Sequence, residues 1–253
     1  MDVAVLGLGE AGGRIASDLV AAGCGVRGWD PVARPEGVPL ASDAGAAVRG
    51  AEVVLSVNVA SVALAVAKGV AAELGECALY ADLNTTAPGL KRSLADTVPA
   101  PFADVALVGV VPSQGIRTPA LASGPGAEAF AERFRPLGMP VDVVGERPGD
   151  AAGLKLLRSV FMKGLAAAVV ESLEAARAAG AEERVRADIA AVIGEPLLER
   201  LVSGSHAHAA RRAEEMHAAT DYLGELGVSS RVAAAAAEWL AELRDDGRQR
   251  PGA

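Results

Sequence analysis

The chain has 253 residues, a formal charge of −8 and 51% hydrophobic residues. At about 150 residues per domain that length suggests one large domain or two smaller ones, and 22% charged residues beside so much apolar content exclude a disordered chain. An acidic chain with 3% aromatics lacks both the basic face and the stacking platforms of a nucleic-acid binder. Cys24 and Cys77 stand in no metal or redox spacing and are expected as buried thiols in a reducing compartment. The N-terminus opens with Asp2 and no basic segment, so no signal peptide is read. The longest uncharged apolar stretch, Val53–Ala67, is interrupted by Ser56, Asn58 and Ser61 and is too short for a membrane span. A soluble cytoplasmic protein, with no nucleic-acid or membrane partner, is the expectation.

In chain order, Val3–Leu6 is a buried-strand run ended by glycines, Ala11–Ala22 a helix closed by Gly23, and Gly25–Trp29 a second strand. Val53–Val57 is a third strand, followed by a helix around Val62–Leu74; Ala78–Leu83 is a fourth, followed by a helix with Pro88 near its first turn. Ala106–Val111 is read as a fifth strand, Ala127–Arg135 as a helix and Val141–Val144 as a sixth strand. Strand–helix alternation with continuously apolar strands predicts a parallel sheet covered on both faces. From Gly149-Asp150 to about Glu242 no strand is read. Ala151–Ala179 reads as one long helix stopped by Gly180, and helical segments follow at Arg184–Ile193, Glu195–Val202, Ala207–Leu226 and Ser230–Leu243. Arg244–Ala253 reads as a frayed tail. The fold class is α/β: a Rossmann-type, doubly wound parallel sheet over residues 1–150, then an all-α domain over residues 151–253.

Gly7-Leu8-Gly9-Glu10-Ala11-Gly12 is a full G-x-G-x-x-G that follows a strand and opens a helix, the context that gives it meaning. Gly7 allows the tight turn, Gly9 lets a pyrophosphate approach the backbone, and Gly12 lets helix and strand pack closely. The helix N-terminus then offers free N–H groups and a positive dipole end to the phosphates, with Glu10 expected to point to solvent. Asp30, at the end of the second strand, can accept hydrogen bonds from both adenine-ribose hydroxyls and repel a 2′-phosphate. That favours NAD, while the nearby Arg34 keeps NADP open. Asn84 and Thr85 sit just past a strand's C-terminal end, where open α/β sheets bind ligands. Asn84 is expected at the nicotinamide or the substrate, with a turn or capping role as the alternative. Asn58 and Val59 are assigned to the cofactor with Thr85.

These residues resemble the β-hydroxyacid dehydrogenases, a superfamily that includes 3-hydroxyisobutyrate and 6-phosphogluconate dehydrogenases. The glycine loop, with Leu19 and Ala22-Gly23 closing the helix, is similar to the family's start. Asp82-Leu83-Asn84-Thr85-Thr86-Ala87-Pro88 resembles its D-x-S-T-x-x-P turn beside the nicotinamide. Asp104–Gly124, with Gly109, Pro119 and Ser123-Gly124, resembles its substrate-binding segment, which makes Gly109 and Val110 substrate candidates with Asn84. Gly153-Leu154-Lys155 resembles the segment carrying the catalytic lysine. Gly109–Pro112, Lys163-Gly164 and Arg211-Arg212-Ala213-Glu214-Glu215-Met216 look closer to a branch whose C-terminal domain is of unknown function. Better-known members carry S-G-G where this chain has Val108-Gly109-Val110, and an asparagine where it has Ser159.

Four lysines stand against 20 arginines. Lys68 and Lys91 are expected to be solvated on surface helices. Lys155 and Ser159 share a helix face at i, i+4, and Lys163 lies about 80° round from Lys155 at 3.6 residues per turn. A lysine acts as a base when burial or a second cation lowers its pKa. Lys155 is the expected general acid/base, taking the hydroxyl proton as hydride leaves for the nicotinamide; its alternative is snorkelling to water. Ser159 and Lys163 are further catalytic candidates. His206, His208 and His217 form no metal-ligand spacing, so no metal is expected, and Arg211-Arg212 beside Glu214-Glu215 reads as a solvated helix face. The expected function is NAD(P)-dependent hydride transfer to or from a small, acidic hydroxy or carbonyl substrate in an interdomain cleft. The resemblance implies a homodimer. The rivals are an imine reductase on the same plan and a non-catalytic dinucleotide-binding sensor.

Overall fold

A computed structural model of the chain describes residues 1–75 and 79–249. Compact units span Met1–Lys155 and Leu156–Ala253, and the division falls inside one long helix.

Among the described residues of the first unit, seven strands form one sheet. They are β1 (Asp2–Leu6), β2 (Gly25–Trp29), β3 (Val53–Ser56), β4 (Leu79–Asp82), β5 (Phe102–Leu107), β6 (Ala120–Ser123) and β7 (Val141–Gly145). Their order is β2-β1-β3-β4-β5-β6-β7. The helices are α1 (Glu10–Ala21), α2 (Ala44–Val48), α3 (Ala60–Val70), α4 (Pro88–Thr97), α5 (Val111–Gln114) and α6 (Ala127–Phe134). Side chains alternate across each strand. Val3, Val5 and Leu55 therefore pack with Ile15 and Leu19 of α1 and with Phe130 and Phe134 of α6. Ala4, Leu6, Val54, Tyr80 and Phe102 pack with α2, α3 and Leu94 of α4 on the other face. Burial on both faces explains why the central strands read as unbroken apolar runs. The spacing of Ala127, Phe130, Ala131 and Phe134 puts one stripe of α6 inward, and the rings of Phe130 and Phe134 stack at 4.3 Å between centroids.

Three sequence expectations need correction here. The sheet is mixed: β6 pairs antiparallel with β5, Asp104 opposite Ser123, because residues 108–119 carry no full crossover helix. The strand expected at Ala106–Val111 lies earlier, at Phe102–Leu107, and Val111 instead opens α5 with Pro112 in its first turn. Cys24 is half-buried at the edge of the core, not fully enclosed; Cys77 and Ala78 lie outside the described residues. No sequence expectation covers α2, which Asp43 caps by accepting from Ala46 N at 2.7 Å.

The helix spanning the division is α7 (Asp150–Ala178), followed by α8 (Glu182–Ile193), α9 (Glu195–Ala207), α10 (Ala209–Glu225) and α11 (Arg231–Gln249). In the second unit Ala213, Met216, Ala219 and Leu223 of α10 pack with Ala233, Ala236, Ala237 and Leu240 of α11, and the five alanines among them let the two helices lie close. Leu198 and Leu201 of α9 pack on Ala166, Val169 and Leu173 of α7. The expected frayed tail is helical as far as Gln249; the rest of it lies outside the described residues. No helix among the described residues is long and apolar enough to cross a membrane.

Candidate functional site

The strand order reverses direction between β1 and β3, and the chain leaves both strands there at their C-terminal ends, where such sheets bind ligands. Gly7 has φ +98°, and a Cβ on it would meet Val57 O at 2.5 Å. A Cβ on Gly12 would meet Gly7 O at 1.9 Å, so only glycine lets α1 sit this close to the loop. Gly9 differs: a Cβ there would meet nothing within 4 Å, so its backbone faces open space. Gly9 is also the N-cap of α1 and offers no side-chain cap, which leaves the first helical N–H groups without a protein side-chain partner at that end. Glu10 is exposed, as expected. Loop and helix line an open groove with Ala33, Arg34 and Pro35.

Asp30 closes the end of β2. One carboxylate oxygen accepts from Val32 N and Ala33 N, both at 2.8 Å, and the other accepts from Leu8 N at 2.8 Å. Partial burial works against its charge, but the three backbone donors and Arg34 outweigh it and hold the carboxyl below the usual aspartate range. A carboxylate has about four acceptor positions, so one remains, on the oxygen bound to Leu8. Arg34 is folded back on its own backbone, donating to Asp30 O at 2.5 Å and Ala33 O at 2.8 Å.

Past β3 and β4 lies a second polar cluster. The Asn84 amide donates to Asp82 Oδ2 at 2.6 Å, Asn58 Oδ1 at 3.1 Å and Ser56 Oγ at 3.2 Å, and Asn58 also donates to Ser56 Oγ. Asn84 is 5% exposed, and its Oδ1 is buried without a hydrogen-bond partner. This acceptor is held fixed by three bonds on the other end of the amide, and it calls for a donor. Thr85, next in the chain, is exposed and accepts from Lys155 Nζ at 2.6 Å. The structure thus brings Asn58, Asn84, Thr85 and Lys155 into one neighbourhood of the first unit. Val59 is exposed and caps α3 by backbone only; Gly109 and Val110 are exposed, with Val110 N donating to Gln114 Oε1.

Lys91 overturns the expectation of a solvated lysine: it is fully buried between Asp82 Oδ1, at 2.6 Å, and Asp104 Oδ1, at 3.0 Å. Burial disfavours its charge, yet Asp104 and Asp82 prevail and hold the ammonium above the ordinary lysine range. Lys68 is exposed on α3, as read.

In the second unit, Ser159 Oγ donates to Glu215 Oε1, and Lys163 Nζ donates to the same oxygen at 3.0 Å and to Ser159 Oγ at 3.2 Å. The solvated helix face expected around Glu215 therefore needs correction: its side chain is 13% exposed, turned onto α7. A carboxylate three residues before a run of small apolar positions carries no sequence signal for this partner. Burial lowers the Lys163 pKa; Glu215 opposes that and Arg212 and Arg158 add to it. The folded value lies below the unfolded one, so the unfolded chain holds that proton more tightly in the interval between them. Stability is expected to rise with pH across that interval, up to the ordinary lysine range, and to lose that slope in Lys163→Met; urea midpoints read against pH would show it. No group of three or more His, Cys, Asp or Glu that could hold a metal occurs among the described residues.

The glycine loop at the switch point of the sheet, the acid that ends β2 and the lysine-bearing helix α7 are the features on which the resemblance to the β-hydroxyacid dehydrogenases rests. Comparison with known proteins agrees. Residues 176–243 match the family described as a domain of unknown function, DUF1932. A conserved hypothetical protein from Sinorhizobium meliloti 1021 is 31% identical, covering 95% of this chain and 87% of that one, with a TM-score of 0.76. The conserved protein MTH1747, of unknown function and reported as structurally similar to 3-hydroxyacid dehydrogenases, is 29% identical over 98% of both chains, TM-score 0.76. The fold is shared with the 3-hydroxyisobutyrate dehydrogenase of Mycobacterium tuberculosis, solved with L-serine, at 20% identity, 97% and 94% coverage and TM-score 0.82. The chain belongs to the β-hydroxyacid dehydrogenase-like superfamily, in the branch with a DUF1932 C-terminal region.

Proposed function

We propose that this protein is a nicotinamide-dinucleotide-dependent oxidoreductase that moves a hydride between the cofactor and a small hydroxy or carbonyl compound. The observation that carries the reading is the Lys155–Thr85 pair beside the unpartnered Asn84 Oδ1. The residues fit the cofactor. Gly9 leaves its backbone open and the N-terminal amides of α1 suit a pyrophosphate. The one acceptor position left on Asp30 suits a single ribose hydroxyl, not both. Asn84 Oδ1 suits an N–H of the nicotinamide carboxamide or the hydroxyl of the substrate.

When bound, the nicotinamide supplies or accepts the hydride. Lys155, as the neutral amine, takes the hydroxyl proton of an alcohol as its C–H hydride departs; in reverse its ammonium returns that proton to the forming alkoxide. Thr85 holds the amine in place through their 2.6 Å bond. The resemblance adds an acidic substrate, roles for Gly109, Val110, Ser159 and Lys163, and a homodimer to this proposal. An ionised Asp30 repels a 2′-phosphate, so NADH is the preferred cofactor. Asp30→Ala is expected to cut the NADH over NADPH preference at least about tenfold, the worth of one charge-assisted hydrogen bond. Parallel binding titrations measure it, and an unchanged ratio would remove Asp30 from the cofactor site.

A panel of 3-hydroxy acids, their oxo acids and cyclic imines, each with NADH and NADPH, tests the activity. Turnover of hydroxy or oxo acids supports the proposal. Turnover confined to imines replaces it with imine reduction, and cofactor binding without any turnover replaces it with a sensor.

A further inference from the structure

A lysine with no exposed surface, between two carboxylates with none, is a costly way to fill a core. Replacing such a set by apolar residues is often neutral or stabilising, so these charges must supply something an apolar core does not. Asp82 and Asp104 are register partners on the adjacent parallel strands β4 and β5, which places two like charges side by side. Lys91 reaches them from α4: it donates to Asp82 O at 2.8 Å and to Asp82 Oδ1 at 2.6 Å, and its ammonium forms an ion pair with Asp104 Oδ1 at 3.0 Å. Each carboxylate then turns its second oxygen outward from the lysine. Asp82 Oδ2 takes the Asn84 amide. Asp104 Oδ2 takes Ala152 N at 2.9 Å, Gly149 N at 3.1 Å and Ser123 Oγ at 3.2 Å, while Ser123 Oγ accepts from Ala151 N. These amides belong to the start of α7, which an apolar core would leave without acceptors.

We propose that Lys91 is a positioning residue for the Lys155–Thr85 pair. Through Asp82 it fixes the turn that carries Asn84 and Thr85, and through Asp104 it fixes the first turn of α7, the helix that carries Lys155 in its next turn. The contacts close a ring: Lys91, Asp82, Asn84, Thr85, Lys155, the start of α7, Asp104 and back to Lys91. Every member lies within the first unit. The purpose of this arrangement rests on the proposed hydride transfer; its geometry does not.

Trace acetylation with acetic anhydride, mapped lysine by lysine, tests it on the full chain. Exposed Lys68 serves as the internal standard. In the wild type Lys155 is expected to label more slowly than Lys68. In Lys91→Met the ratio of Lys155 to Lys68 labelling is expected to rise about fivefold, the loss of one net hydrogen bond. Leu94→Ala removes a fully buried apolar side chain from the same helix without touching the polar ring, and should leave the ratio as it was. An unchanged ratio in Lys91→Met, or an equal rise in Leu94→Ala, overturns the proposal. Should Lys91→Met not fold, Asp104→Asn carries the same expectation and the same refutation. NADH titration of the same proteins separates the two readings: a wild type that binds none defeats hydride transfer, while the labelling ratio still decides the positioning role.

Discussion

Gly12→Val is expected to abolish NADH binding while the sheet still forms. The Cβ it adds would lie 1.9 Å from Gly7 O, a backbone atom that cannot swing aside, so α1 must retreat from the loop. The N-terminal amides of α1 would then be displaced from the position proposed for the pyrophosphate. Two charge-assisted hydrogen bonds at roughly 1.5–3 kcal/mol each make the loss about a hundredfold or more in Kd. Gly9→Ala is the informative companion. Its Cβ meets nothing in the protein, so the thermal midpoint should stay near that of the wild type while binding still falls, because the methyl would stand on the side proposed for the phosphate. A Gly9→Ala chain that binds NADH as well as the wild type would show that the open side of the loop is not the phosphate site.

Lys155→Met is expected to lower kcat by about 10²–10⁴-fold on whichever substrate is identified, the usual contribution of a positioned acid/base. NADH affinity should be little changed, since the proposed phosphate and ribose contacts lie at the glycine loop and Asp30, whereas Lys155 bonds Thr85. A variant that keeps the wild-type kcat would remove Lys155 from the proton transfer and leave it a helper of the turn.

The glycine loop was legible in the sequence because each of its glycines answers one geometric demand, and the structure meets those demands at Gly7 and Gly12 with backbone contacts no side chain could share. The alternation of apolar strands and helices gave most of the first unit for the same reason: burial on two faces leaves a pattern. β6 left none. It is short, follows Pro119 and mixes small residues with Ser123, so nothing marked it as a strand or its direction as antiparallel.

Lys91 was misread because a lysine on an amphipathic helix is normally solvated, and its partners come from two strands that meet it only in three dimensions. A clue was present in Asp82 and Asp104, acids inside otherwise apolar strands, which needed a cation somewhere. The Glu215 contact with Ser159 and Lys163 was hidden in the same way, since helix pairing between α7 and α10 has no local signature. Asp30 was read correctly as an acid at the end of β2, but not the three backbone amides that occupy most of its acceptor positions.

The proposed function stands or falls on whether the switch-point loop, with the Asp30 carboxylate beside it, holds a dinucleotide without a 2′-phosphate. Calorimetric titration of the full chain with NADH and with NADPH tests this most directly. Saturable NADH binding at least about tenfold tighter than NADPH is expected, since one hydrogen bond to a charged group is exchanged for repulsion. Tighter binding of NADPH, or no binding of either by folded protein, would contradict it.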